Sequence, residues 1–174
     1  MKKSFRAIVF IICIAFLAGC SLAKTGEIAP AAEDYSSFIW EIQVKDSLVT
    51  DRLHTDEGVQ QYDGSTLNVA HDDIPAEGSA FLILTMTITK NKTGGGSFKW
   101  DNLYIADEGG AKYQRMENDR FLSYHTFNRL PGTPLQIGEN KGSICFEIPA
   151  SATKGKLTLC YDAGDEGVVS IPLK

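Results

Sequence analysis

The chain contains no Gly-x-Ser-x-Gly elbow, no His-Glu-x-x-His pair and no glycine loop closed by Gly-Lys-Ser/Thr. The short motifs that place a serine nucleophile, a zinc pair or a phosphate cradle are therefore missing. Histidine is scarce: His54, His71 and His125 are far apart, and none has metal-ligand spacing. Long apolar runs are also absent. The apolar core that ends before Cys20, Ala7 to Gly19, has thirteen residues, short of the roughly 17–25 that a spanning helix needs. Sustained helical periodicity is missing too, except at "DSLVTDRLH" (46–54), where Leu48, Val49 and Leu53 could share a helix face. These gaps exclude a helical bundle, a polytopic membrane protein and the commonest enzyme signatures.

The N-terminus supplies an address. Lys2, Lys3 and Arg6 precede the thirteen-residue apolar core, and the core ends at Leu17-Ala18-Gly19-Cys20. A basic start and a core of this length make a signal peptide over 1–19. The Leu-Ala-Gly-Cys ending resembles a bacterial lipobox. That resemblance implies cleavage before Cys20, a diacylglyceryl thioether on its sulfur and acylation of the new amino group. Two or more acyl chains anchor stably where one does not. The alternative is a plain signal peptide that happens to contain a cysteine. Residues 20–36 then read as the lipidated Cys20 and a small, polar, Pro-containing tether, leaving 37–174 as one domain. Lys2, Lys3 and Arg6 leave with the signal, so 14 basic residues face 22 acidic ones and the mature net charge is −8. An acidic domain repels phosphate, so no nucleic-acid partner is expected, and the membrane is reached through the lipid alone.

Within 37–174 the apolar pattern has period two. Phe38, Trp40, Ile42 and Val44 alternate with polar residues, as do Leu82, Leu84, Met86 and Ile88 with Thr85, Thr87 and Thr89, which favour a strand and can face water. The same holds for Ile144, Phe146 and Ile148, for Leu157, Leu159 and Tyr161, and for Val169, Ile171 and Leu173. Pro172 marks an edge strand or a strand end. Phe98 and Trp100 are out of phase with Leu103 and Ile105, which predicts a bulge near Asp101-Asn102. Turns are expected at "PAEGS", "NKTGGGS", "ADEGGAKY", "PGTP" and "GENKG", and region 50–72 reads as a loop with a short strand at "TLNVA". Short strands at this spacing predict an all-β, immunoglobulin-like antiparallel β-sandwich. The two cysteines left in the mature domain, Cys145 and Cys160, fall on the polar phases of consecutive strands. A hairpin at "PASATKG" would place them opposite each other, where a disulfide closing about 15 residues would stabilise by about 3 kcal/mol. Strands that cross between sheets would instead put the two thiols on opposite sides of the domain.

From Pro75 to Tyr161 the chain resembles a telokin-like, immunoglobulin-fold domain of unknown function that is common in bacterial surface lipoproteins. The matching pieces are "AFLILTMTITKN", "FKWDNLYIADEGGAKYQR", "NDRFLSYHTFNRLPGTPLQIGENKGSICFEIP" and "KLTLCY", in that order. The resemblance implies a fold and an envelope location. It supplies no substrate.

The densest polar-aromatic stretch is "YQRMENDRFLSYHTFNR", with Arg115, Asn118, Asp119, Phe121 and Arg129 as candidate residues. It reads either as a recognition patch, since aromatics and arginine are enriched at interface cores, or as a corner in which an Arg–Asp pair satisfies the backbone beside a buried aromatic. "AHDD" (70–73) is poor chelate geometry on a strand, and "YDAGDEG" (161–167) lacks the ligand register of a calcium loop. Asn91-Lys92-Thr93 is a glycosylation sequon on paper only. No catalytic residue, metal or cofactor is expected. The leading expectation is a non-enzymatic, membrane-anchored envelope lipoprotein whose sandwich binds a protein or glycan. The alternative is an envelope hydrolase acting on wall or glycan.

Overall fold

A computed structural model describes residues 39–93, 96–130 and 135–173. The signal segment, Cys20, the tether and "PGTP" lie outside the described residues. Among the described residues the chain forms nine strands: β1 (Trp40–Thr50), β2 (Leu53–Gln60), β3 (Thr66–Asp73), β4 (Ser79–Lys90), β5 (Leu103–Asp107), β6 (Lys112–Gln114), β7 (Gly138–Pro149), β8 (Leu157–Asp162) and β9 (Val168–Pro172). One sheet has the order β1-β4-β7 and the other β6-β5-β8-β9, all antiparallel. This is an immunoglobulin-like sandwich: the first sheet corresponds to strands A, B and E, the second to C′, C, F and G. Strands β2 and β3 pair only with each other. They form a hairpin inserted between the first two sandwich strands, called the arm below.

The period-two residues face one another across the sandwich. Ile42, Leu84, Ile144 and Phe146 from one sheet pack on Leu103, Ile105, Leu159 and Ile171 from the other. Phe98 joins them, stacked on Tyr161 with centroids 4.5 Å apart. The phase change at Trp100 is absorbed by a 3-10 turn, Trp100–Asn102, instead of a bulge. A bulge does occur in β1, where pairing skips Lys45 between Val44↔Met86 and Asp46↔Thr85. Past it, Leu48 and Val49 stay paired with Ile83 and Leu82, so 46–50 is strand and no helix forms. Sheet pairing outweighs a weak local helical spacing.

Three further expectations change. "GENKG" is the start of β7, paired with β4 from Lys90 to Met86. The threonine phase of β4 is not a water face: Thr87 is buried, and Thr85 Oγ1 lies 3.0 Å from Ser143 Oγ. The hairpin between the two cysteine strands does not form, because β7 and β8 belong to different sheets and a 3-10 turn, Ala152–Lys154, connects them. Cys145 and Cys160 are both free thiols, and both are buried. The expected disulfide therefore has no geometric basis. Burial, aided by Asp119 and Glu147, pushes the Cys145 thiol well above its ordinary pKa, so it remains neutral. Alkylation without reductant should modify neither thiol in the native domain and both after denaturation. A blocked pair after denaturation would contradict the sheet assignment.

The outer face of the β4-β7 sheet is buried as well. Phe81, Ile83 and Cys145 form a second cluster with Leu53 of the arm and Leu122 of a 3-10 helix, Arg120–His125. This helix lies over the sheet as a third layer and positions the base of the arm.

Candidate functional site

The structure brings together what the sequence keeps apart. All three histidines sit on the arm or against it. His54 and His71 lie on β2 and β3, and His125 ends the 120–125 helix. Each meets a carboxylate. In the arm's register Leu53, Thr55, Glu57 and Val59 share one face with Asp73, His71, Val69 and Leu67 opposite them. The 120–125 helix covers the inner half of that face. His125, 5% exposed, is held between the two strands: its Nδ1 lies 2.8 Å from Thr55 Oγ1 and its Nε2 2.9 Å from Asp73 Oδ2. The carboxylate accepts, so Nε2 carries the proton and Nδ1 accepts from the Thr55 hydroxyl when the ring is neutral. Beside this clasp the His71 ring stacks on Tyr124, centroids 4.6 Å apart at 4°. His71 Nε2 is 3.5 Å from Glu57 Oε2.

On the opposite face His54 Nδ1 lies 2.9 Å from Asp72 Oδ1, and Arg52 donates to the same oxygen from Nε at 2.8 Å. The Asp72 hydrogen bond and charge, with a smaller contribution from Asp56, raise the His54 pKa. The His54 hydrogen bond, then Arg52, lower that of Asp72. The raised histidine stabilises the arm base below its unfolded pKa, and that contribution is lost as pH rises through its folded pKa. The lowered aspartate stabilises above its unfolded pKa, and that contribution is lost as pH falls through its folded one. The pair therefore holds in the mildly acidic window between them. The His54 ring protons, followed by NMR, should titrate above the ordinary histidine value of about 6.5 and return towards it in Asp72→Asn. An unshifted midpoint in the parent protein would contradict the contact.

Beyond the clasp the arm stands in water. Residues 56–68 are exposed, and the strands close through Asp63-Gly64, with Gly64 at φ 84°. Val59, Leu67, Val69 and the exposed ring of Tyr124 continue the apolar side outward, and Tyr62 sits at the tip. The other side carries Gly58, Gln60, Thr66, Asn68 and Ala70. The arm is thus an amphipathic ribbon whose apolar side is half covered.

The residues singled out from sequence build a corner. Asp119, fully buried, accepts a hydrogen bond from Arg129 Nε. Its Oδ2 has Arg115 Nη1 at 3.9 Å, an ion-pair contact without a hydrogen bond. Arg115 donates to the Met116 carbonyl and lies over the Trp100 ring, 5.4 Å from its centroid. Arg129 bridges to Ser143 of β7. Gly142 makes this possible, because a Cβ there would collide with the Asn128 carbonyl and Leu130. Phe121 turns inward onto Phe81, and Asn118 is exposed. The acidic turns remain solvated: Asp165 and Glu166 are exposed in a 3-10 turn. Ser151 and Lys154 stand in Ser-x-x-Lys spacing and are exposed at the ends of the 152–154 turn. A shallow depression of about 220 Å³ borders Trp100, Gln114, Arg115 and Glu117 and includes none of the histidines. Among the described residues no group of three or more His, Cys, Asp or Glu is arranged to hold a metal, and no helix is long and apolar enough to cross a membrane.

No family model matches the chain, and no curated protein does. Solved structures do. One is ycdA of Bacillus subtilis, a lipoprotein candidate, at TM-score 0.47 and 12% identity; the match covers 78% of this chain and 36% of that one, so this chain spans little more than a third of its length. Another is an uncharacterized β-sandwich protein of Clostridium difficile, at TM-score 0.45 and 12% identity, covering 78% of this chain and 85% of that one. A conserved hypothetical protein of Bacillus anthracis matches at TM-score 0.46 and 13% identity, covering 78% and 87%.

Proposed function

We propose that this chain is an extracytoplasmic lipoprotein, anchored through Cys20, whose sandwich is a scaffold for a binding arm. The observation that carries the reading is the outer half of the β2-β3 ribbon, which keeps Val59, Tyr62 and Leu67 in water. A two-stranded ribbon is marginal by itself. Its open edges are templates for pairing, and clustered exposed apolar side chains mark interaction sites. Aromatic residues such as Tyr62 and Tyr124 are the side chains that anchor interfaces. The lipid would hold the domain at the membrane, and the tether would let the arm reach outward.

The test is photo-crosslinking in intact cells, with a photoreactive residue at Tyr62 and, as control, at Lys154. Discrete adducts are expected from Tyr62 and not from Lys154. Equal or absent adducts at both would overturn the reading. Anchoring is tested separately. Mass spectrometry of the mature N-terminus should find an acylated Cys20, and Cys20→Ala should lose membrane retention; an unmodified N-terminus elsewhere would contradict it.

One observation favours a second reading, the envelope hydrolase. Thr55, His125 and Asp73 form a hydroxyl–imidazole–carboxylate line, the order of groups in a nucleophile–base–acid relay. A fluorophosphonate probe that labels the protein, but not Thr55→Val, would support it. The binding reading expects no label.

A further inference from the structure

We infer that the uncovered half of the arm's apolar face docks a cationic segment of a protein partner, one that alternates basic and apolar side chains. The inference rests on the binding reading above and adds the partner's chemistry. The face is Val59, Leu67 and Val69, bounded on the inner side by the exposed Tyr124 ring and carrying Glu57 directly opposite Val69. It continues the second core cluster outward: Leu53 at its inner end is buried, Thr55 and His71 are half covered by the 120–125 helix, and Val59 and Leu67 are bare. An apolar strip that starts in a core and ends in solvent has the form of an interface cut open.

Charge decides the occupant. Residues 51–73 hold Asp51, Asp56, Glu57, Asp63, Asp72 and Asp73 against one arginine, Arg52. Arg52 is already committed to Asp72, 2.7 Å away. Glu57, on the face of the strip, keeps its side chain 58% exposed, and Asp56, on the ribbon's other face, keeps its own 69% exposed. A second copy would bring the same carboxylates face to face, and like charges across an interface are costly. An anionic membrane surface or a nucleic acid is repelled for the same reason. A basic segment is attracted by the carboxylates, and its apolar residues cover Val59, Leu67 and Val69. Either open edge of the ribbon also offers backbone groups to an extended chain.

The experiment titrates ¹⁵N-labelled protein with three blocked peptides of equal length: alternating Lys-Val, alternating Glu-Val and alternating Lys-Ser. Lys-Val is expected to bind, with shifts confined to residues 56–70 and Tyr124. Lys-Ser should bind about tenfold more weakly, because burying one aliphatic side chain is worth about that factor. Glu-Val should not bind. Leu67→Ser and Glu57→Gln should each weaken Lys-Val binding, whereas Asp165→Asn should leave it unchanged. Both arm substitutions are at exposed positions, so folding is preserved, and the unshifted core resonances would show it. Shifts spread over the other acidic surfaces, equal binding of Lys-Val and Lys-Ser, or a concentration-dependent dimer through the arm would overturn the inference. Crosslinks at Tyr62 with no Lys-Val binding would overturn the partner chemistry while leaving the binding arm in place.

Discussion

Asp119→Ala is expected to destabilise the domain by about 3–5 kcal/mol, because removing one member of a buried ion pair strands the other. Asp119 is fully buried, and Arg129 and Arg115 both converge on it. Alanine would leave two largely buried guanidinium groups without a counter-charge. The same change would unfasten three segments at once: the end of β6 through Arg115, the 120–125 helix that begins after Asp119, and residue 129 where it bridges β7. Urea denaturation followed by circular dichroism measures the loss. Asn118→Ala, at the exposed neighbouring position, should shift stability by no more than about 0.5 kcal/mol. Similar effects at 118 and 119 would show that the corner is not held by its charges.

Phe81→Ala is the second large effect, also about 3–5 kcal/mol. Phe81 is 3% exposed and meets Phe121 with centroids 5.1 Å apart. It lies on the outer face of the sheet, so its loss leaves the inter-sheet core intact and empties the cluster beneath the 120–125 helix. The helix carries His125 and Tyr124, and the arm base is clasped by both. Denaturation should therefore show the global loss, and the His71–Tyr124 stack should loosen, visible as a collapse of their ring-current shifts. A full-sized loss of stability with the stack unchanged would mean that arm and helix are held independently of the outer cluster.

The sandwich was legible in the sequence because its core strands alternate. Trp40/Ile42, Ile144/Phe146/Ile148 and Leu157/Leu159/Tyr161 each mark a face that packs into the inter-sheet core, and they lie on strands that form. β4 was legible as a strand but not as a doubly buried one. Its threonines look like a water face, and only the third layer reveals that Phe81 and Ile83 have somewhere to go. The arm was half legible: the short strand expected at "TLNVA" is the start of β3, Thr66–Asp73, whereas its partner β2 was missed for a related reason. An outer half exposed on both sides has little reason to alternate, so 50–72 looks like loop. One signal was present: Asp63-Gly64, a hairpin dipeptide, where Ser65 N donates to Asp63 Oδ1 at 2.9 Å. The histidine clasp was not legible at all, since Thr55, Asp73 and His125 are united only by a strand register and a helix docking 52 to 70 residues away in sequence. The cysteines failed as a pair because consecutive strands need not be neighbours in a sandwich whose connections cross between sheets.

Hydrogen–deuterium exchange of peptides covering 56–70 tests the central claim most directly, measured once on purified protein and once on the protein in isolated native membranes. An arm that waits for a partner should exchange fast when purified and markedly more slowly in its own envelope, while β8, Leu157–Asp162, exchanges slowly in both. Identical fast exchange of the arm in the two preparations would show that nothing in the envelope covers it, and would contradict the account.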